Sequence, residues 1–320
     1  MTTETTLSPL TRYRRATHAC LRGIGVPISR VSAKDLVTRA VIIAMTLVSV
    51  SAAAMAQQQQ QQPAQGQQAA AAAPGTVTFN TVITKLKNKQ QVFSNTIIEP
   101  DLEAAKKACE GQDFIWIEMQ HSTLTWRESQ QLIDVVAKAG CIPFVRVPSA
   151  NVGDIQKATD AGALGIIIPM VETVQEARNA VMFAKFPIGN RDNPNTRPWG
   201  HRSSGGGPAF RLWGRDYATN ANNNVFIMIQ IESPAGVGMI DNILEEVEGI
   251  DAVMVASNDF GLHAGDRDGS PSYAAREELV RKSVLAHGKT LVGPSSWQRR
   301  PGYMMFQGRR DATNTGYEVR

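Results

Sequence analysis

The 320-residue sequence predicts an α/β fold of the (β/α)8 barrel class. From Gln91 onward, short apolar runs rich in β-branched residues alternate with helix-like segments, and the runs read as parallel strands buried on both faces. The folded part expected over residues 76–320 has the length of one such barrel. Charged side chains stand at or just beyond the ends of several of these runs, where a barrel of this kind carries its chemistry.

QVFSNTII (91–98) is the first strand, and Asp101 is placed to cap a helix with Leu102, Ala105 and Ala108 inward. FIWIEM (114–119) is the second strand. Thr125 with Glu128 three residues on makes a capping box for WRESQQLIDVVAKAG, which Gly140 stops. CIPFVRV is the third strand, NVGDIQKATDAG a short helix ended by Gly162, and ALGIIIPM the fourth strand. A helix follows from Glu172 to Lys185. VFIMIQIE, the helix GVGMIDNILEEVEG, IDAVMVAS, a helix from Pro271 to His287, and KTLVGP complete seven strands. The tail QRRPGYMMFQGRRDATNTGYEVR offers no good apolar strand, so the eighth strand and the C-terminus are expected to be atypical or truncated. Gly189 to Asn224, rich in Gly, Asn, Pro and Arg and carrying Trp199 and Trp213, reads as a long loop, a lid or a subunit contact. Within it, HRSSGGG lacks a following Lys-Ser/Thr and is expected to open no helix, which argues against a phosphate-binding loop.

Ahead of the barrel, Arg39 precedes an apolar stretch from Ala40 to Ala56 that ends in AMA. Basic region, apolar core and small-residue site together predict a secretory signal over residues 1–56, cut after Ala56, with an uncleaved anchor as the alternative. The basic region is long, so either translation starts later than Met1 or the extension has its own use. Arg14 and Arg15 lie too far from the apolar core for a twin-arginine signal. Residues 57–75, built of Gln, Ala, Pro and Gly, have nothing large to bury and are expected to form a disordered linker. The expectation is export, to the periplasm, with no membrane attachment after cleavage. Seven of the 33 Lys/Arg and two of the 29 Asp/Glu lie in the leader, which leaves 26 bases against 27 acids and no support for a nucleic-acid partner. Cys20 leaves with the leader. Cys109 and Cys141 are expected as small buried side chains, and no C-x-x-C spacing points to zinc.

The rim carries the functional signal. Glu232 closes VFIMIQIE, Asp259 follows DAVMVASN, DFIWIEMQ leads into His121, and CIPFV leads into Arg146. Two acids there are costly unless a metal or a cationic partner compensates them. Carboxylate oxygens suit a hard divalent cation, with open positions left for a small ligand and water. None of these strand ends presents a lysine, which disfavours Schiff-base chemistry. His201 and His263 read as structural, Glu172 as a helix N-terminal acid, Trp116 and Trp126 as core and surface packing, and Met239, Met254, Met304 and Met305 as filler.

DFIWIEMQHSTLTW, PFVRVP, IQKATDAGALGIIIPMVET, GHRSSGG, MIQIES and GIDAVMVASNDF, in this order from about Phe93 to Pro294, make the chain resemble the HpcH/HpaI aldolases of 2-keto acids. The resemblance implies a pyruvate-type barrel that cleaves a 4-hydroxy-2-keto acid to pyruvate and an aldehyde. A divalent metal, Mg2+ or Mn2+, would act as the Lewis acid for the enolate. It implies Glu232 and Asp259 as metal ligands, Arg146 orienting the keto acid, His121 placed for proton transfer, Gln230 lining the pyruvate site, and the turn at Ser257–Asn258 holding the carboxylate. A homo-oligomer is also implied. Glu118 and Gln120 stand where relatives often carry Asp and Glu. Glu118 is expected to orient His121, and Gln120 removes a charge near the metal. Asn258 and Phe260 replace small or aliphatic residues, so altered substrate choice is expected before lost activity. The alternative is an exported, catalytically weak barrel that binds a keto acid or sugar acid. Citrate-lyase-type and malyl-CoA-lyase-type chemistry would need a CoA surface that the sequence does not reveal.

Overall fold

The computed structural model describes residues 77–187, 200–205 and 207–310. The leader, the Gln/Ala linker, Cys20, Trp199 and the last ten residues lie outside them. Eight parallel strands close into a barrel in sequence order, β8 pairing with β1. They are β1 (Val92–Ile97), β2 (Phe114–Glu118), β3 (Ile142–Arg146), β4 (Gly165–Ile168), β5 (Phe226–Ile231), β6 (Ala252–Val255), β7 (Thr290–Pro294) and β8 (Tyr303–Gln307). The helices between them include α2 (Leu102–Ala108), α3 (Trp126–Lys138), α4 (Val152–Ala161), α5 (Val174–Ala184), α8 (Pro234–Glu246), α9 (Ser257–Leu262) and α10 (Pro271–Ala286). Among the described residues, no helix is long and apolar enough to cross a membrane.

The caps read from the sequence form. Asp101 accepts from the Ala104 N–H at the start of α2, and Thr125 and Glu128 make a reciprocal capping box on α3. Gly162 ends α4 in the left-handed conformation. Leu102 does not point inward as expected; of the three residues expected inward on α2 only Ala105 is fully buried.

The tail supplies the missing eighth strand, which corrects the expectation that it would offer none; the expectation for the C-terminus beyond residue 310 lies outside the described residues. In YMMFQ the side chains of Tyr303, Met305 and Phe306 are fully buried. Phe306 stacks on Phe93 of β1 at 4.9 Å between centroids, and the Tyr303 hydroxyl donates to Glu277 at 2.7 Å. A register irregularity between Leu291 and Val292 lets β7 accommodate this strand.

Two short helices, α6 (Pro208–Trp213) and α7 (Tyr217–Asn224), occupy the segment read as an irregular loop, and Gly207 caps α6, so HRSSGGG does lead into a helix. This part packs at the floor of the barrel, away from the rim. Arg202, buried, forms an ion pair with Asp160 near the end of α4 at 2.8 Å and bonds the Tyr217 hydroxyl at 2.9 Å. Trp213 donates to the Gly162 carbonyl at 2.9 Å. An N-terminal helix unseen in the sequence, α1 (Thr81–Lys87), closes the same end: the Asn80 amide bonds the carbonyls of Leu164 and Asn224, each at 3.0 Å.

Inside the barrel, alternate residues point inward. Phe114, Phe144 and Phe226 form an aromatic layer, with centroids 4.7 and 5.6 Å apart. Gly165 is opposite Phe144, and a Cβ there would fall 2.0 Å from the phenyl ring. Gly165→Ala is therefore expected to destabilise the fold by about 1–3 kcal/mol through overpacking. Gly238→Ala, exposed on α8 with open space at its Cβ, is expected to be neutral or stabilising. Thermal melts of the two variants check the contrast.

Candidate active site

Glu118 and Arg146 end β2 and β3 as direct ladder partners, which brings their side chains together at the C-terminal rim. Arg146 reaches one oxygen of Glu118 through both Nε and Nη2 at 2.5 Å. The same oxygen accepts from the Trp116 indole N–H at 3.1 Å, and the guanidinium lies 5.4 Å from the centroid of that ring. Trp116, expected only as packing, is thus part of the constellation. The second oxygen of Glu118 accepts the backbone N–H groups of Gln120 at 2.7 Å and His121 at 3.0 Å. Glu118 therefore fixes Arg146 and the backbone of the loop after β2, and not the imidazole as the sequence suggested. His121 is exposed at the edge of the rim.

Across the barrel, the Gln230 amide oxygen faces Arg146 Nη1 at 3.5 Å, a long contact, and its nitrogen meets Met254 Sδ at 3.5 Å. Two residues on, inward by the strand alternation, stands Glu232, which is 2% exposed. One of its oxygens accepts the Met170 N–H at 2.6 Å, while the other, Oε1, is buried without a partner. Burial pushes the Glu232 carboxyl above the usual carboxylate range; the Met170 bond opposes this, the negative Asp259 adds to it, and Arg146 and His263 relieve it. Met170 was not legible as a site residue. It holds φ 51°, a conformation uncommon for a residue with a side chain, and its contribution is a backbone N–H.

Asp259 lies in the first turn of α9 and bears electrostatically on Glu232. Ser257 and Asn258 open that helix, so their N–H groups belong to its unsatisfied first turn. His263 has the structural role expected: its Nδ1 lies 3.0 Å from the Glu232 carbonyl and 3.1 Å from the Asp259 carbonyl, tying α9 to the end of β5. Phe260 points into the α9–α10 packing, edge-on to Tyr273 at 5.0 Å. Glu172 accepts a hydrogen bond from Ser233. A cleft of about 580 Å³ opens beside Asp259, with Asn258, Arg267, Ser296 and Trp297 among its walls. Arg146, Gln230 and Glu232 are not in its lining, so it adjoins the charged centre without enclosing it.

Glu232 and Asp259 fit a divalent cation. A buried carboxylate oxygen with no donor, next to a second carboxylate, is unfavourable for the chain alone and suits a hard cation. Among the described residues no cluster of three or more ligating side chains exists, so other coordination positions would fall to substrate and water. Lys185, whose pKa burial lowers, lies at the opposite end of the barrel and donates to the carbonyls of Asn222 and Val225, far from where a Schiff base would be needed.

Proton and cation should compete at Glu232. Because its folded-state value is raised, its contribution to stability is present below the ordinary glutamate range and is lost as pH rises through the raised value. Bound cation offsets that loss. The rise in melting temperature on adding Mn2+ is expected to be largest near neutrality and to shrink on acidification; a rise independent of pH would place the cation elsewhere.

The model of the HpcH/HpaI aldolase/citrate lyase family matches residues 99–291. A 2-keto-3-deoxy-L-rhamnonate aldolase of Klebsiella pneumoniae is 30% identical over 187 residues, 57% of this chain and 66% of its own length. The chain thus matches just under two thirds of such a relative. An HpcH/HpaI aldolase from Desulfitobacterium hafniense superposes with a TM-score of 0.62 at 25% identity, over 72% of this chain and 91% of the other. An HpcH/HpaI family protein from Burkholderia cenocepacia shares the fold at 24% identity, with a TM-score of 0.63 over 73% and 94% of the two chains.

Proposed function

The chain belongs to the HpcH/HpaI aldolase/citrate lyase family, and on that premise we propose that it is a metal-dependent, class II carbon–carbon lyase. It cleaves a 4-hydroxy-2-keto acid to pyruvate and an aldehyde. The observation that carries this reading is the partnerless buried oxygen of Glu232, whose carboxylate feels both the negative Asp259 and the fixed Arg146 guanidinium.

Glu232 and Asp259 would hold Mg2+ or Mn2+, which supplies Lewis-acid stabilisation of negative charge on the keto acid. The first-turn N–H groups at Ser257 and Asn258 receive the substrate carboxylate. Arg146, held by Glu118 and by Trp116, donates to the keto oxygen as charge develops there. Gln230 sets the width of the site on the β5 side. His121 takes the proton of the 4-hydroxyl, through a water, as the C3–C4 bond breaks and the aldehyde leaves. A proton returned to C3 completes pyruvate. The cleft beside Asp259 gives room for the aldehyde-derived part of the substrate.

One observation favours the second reading, a weakly catalytic binder of keto or sugar acids. Glu118 anchors only the backbone of His121, and the half-buried Gln120 leaves its amide oxygen without a partner. Pyruvate release from 4-hydroxy-2-keto acids with Mg2+, Mn2+ or chelator separates the two. Cation-dependent release supports the lyase, and cation-dependent binding without release supports the binder.

We also propose export to the periplasm and a homo-oligomeric state. The first rests on the leader and is tested by the N-terminus of protein recovered from cell fractions, expected just after Ala56. The second is supported by Leu262, 73% exposed on α9 beside the site, and is tested by mass from light scattering.

A further inference from the structure

We infer that Cys109 and Cys141 form a disulfide when the chain meets a disulfide donor, stapling the end of α2 to the start of β3. The sequence showed two cysteines on separate elements; the structure puts them side by side. Cys109 follows the last residue of α2, and Cys141 directly precedes β3. Cys141 Sγ lies 3.4 Å from the Cys109 carbonyl oxygen and 3.7 Å from that of Gln112. Cys109 Sγ lies 3.8 Å from the Val136 carbonyl, which also accepts the Cys141 N–H at 3.2 Å. The two thiols, both free in this structure, therefore lie in one buried pocket, each sulfur against backbone carbonyls that flank the other cysteine.

The thiolate of one cysteine displaces one sulfur of the donor disulfide to give a mixed disulfide and a free donor thiol. The other cysteine then displaces the second donor sulfur. One Cys–Cys bond forms, one donor disulfide is reduced to two thiols, and the two protons lost by the cysteines leave with them. Both sulfurs are buried in the folded chain, so the exchange belongs to folding, before the floor of the barrel closes. The staple encloses β2, the loop carrying His121, and α3, at the end of the barrel away from the rim. It is expected to raise stability and leave the rim unchanged, and it does not depend on the proposed lyase activity.

The test refolds the full chain carrying Cys20→Ser in a mixture of oxidised and reduced glutathione, then blocks free thiols and digests with trypsin without reduction. The expected result is no blocked cysteine and a cross-linked pair of peptides, Ala108–Arg127 with Ala139–Arg146, about 2 Da lighter than their sum. Its melting temperature is expected to exceed that of the reduced protein by roughly 5–10 °C. Two blocked cysteines, a glutathione adduct in place of the cross-link, or an oxidised form that melts below the reduced one overturns the inference. The wild-type pair is read directly, so the result does not depend on a cysteine variant folding.

Discussion

Glu232→Ala is expected to abolish cation-dependent pyruvate release, with kcat/KM lower by about 10³-fold or more, roughly 4 kcal/mol of lost transition-state stabilisation. The same substitution should not weaken the fold in the absence of cation. Glu232 is buried, its carboxyl is raised, and one oxygen has no donor, so the wild-type side chain is itself a cost to the unliganded barrel. Denaturant unfolding in chelator should therefore show the variant equal to or more stable than wild type, while added Mn2+ stabilises only wild type. Glu232→Gln keeps an acceptor for the Met170 N–H and should behave alike. A variant that loses both stability and activity would mean that Glu232 is structural.

Arg146→Ala is expected to fail in the opposite way. It leaves Glu118, 2% exposed, without its cation, a defect that typically costs about 3–5 kcal/mol in a buried pair. Activity should fall with it, because no other guanidinium faces the centre from β3. Arg146→Lys retains charge but not the two-pronged contact with Glu118, so it should recover part of the stability and little of the activity. Combining Arg146→Ala with Glu118→Gln removes the stranded charge and should restore stability without restoring turnover. Chemical denaturation alongside steady-state kinetics separates the two effects. Full activity in Arg146→Ala would remove Arg146 from the proposed mechanism.

Seven strands were legible because parallel strands buried on both faces leave unbroken apolar runs such as FIWIE and FIMIQI. β8 was not, because its burial rests on Tyr, Met and Phe in a five-residue run set between Pro-Gly and Gly-Arg-Arg, and its register bends around an irregularity. α7 was hidden for a different reason. Asn is a poor helix former, and YATNANNN is held by tertiary bonds, such as the Asn224 side chain accepting the N–H groups of Phe79 and Asn80 at 2.6 and 3.0 Å. The acids and the arginine of the rim were readable because charge at the end of an apolar strand is conspicuous. The partners that position them were not: Met170 acts through its backbone, Trp116 looks like any core aromatic, and the five hydrogen bonds and ion contacts converging on Glu118 depend on the β2–β3 register.

The most direct measurement is exchange of the methyl protons of pyruvate in D2O, followed by proton NMR, because it needs no knowledge of the aldehyde. If the rim removes and returns a proton at C3, the full chain with Mn2+ or Mg2+ should wash out the methyl signal, and chelator or Glu232→Ala should stop it. Pyruvate bound in the presence of cation with its methyl signal intact would contradict the lyase and leave a binding protein.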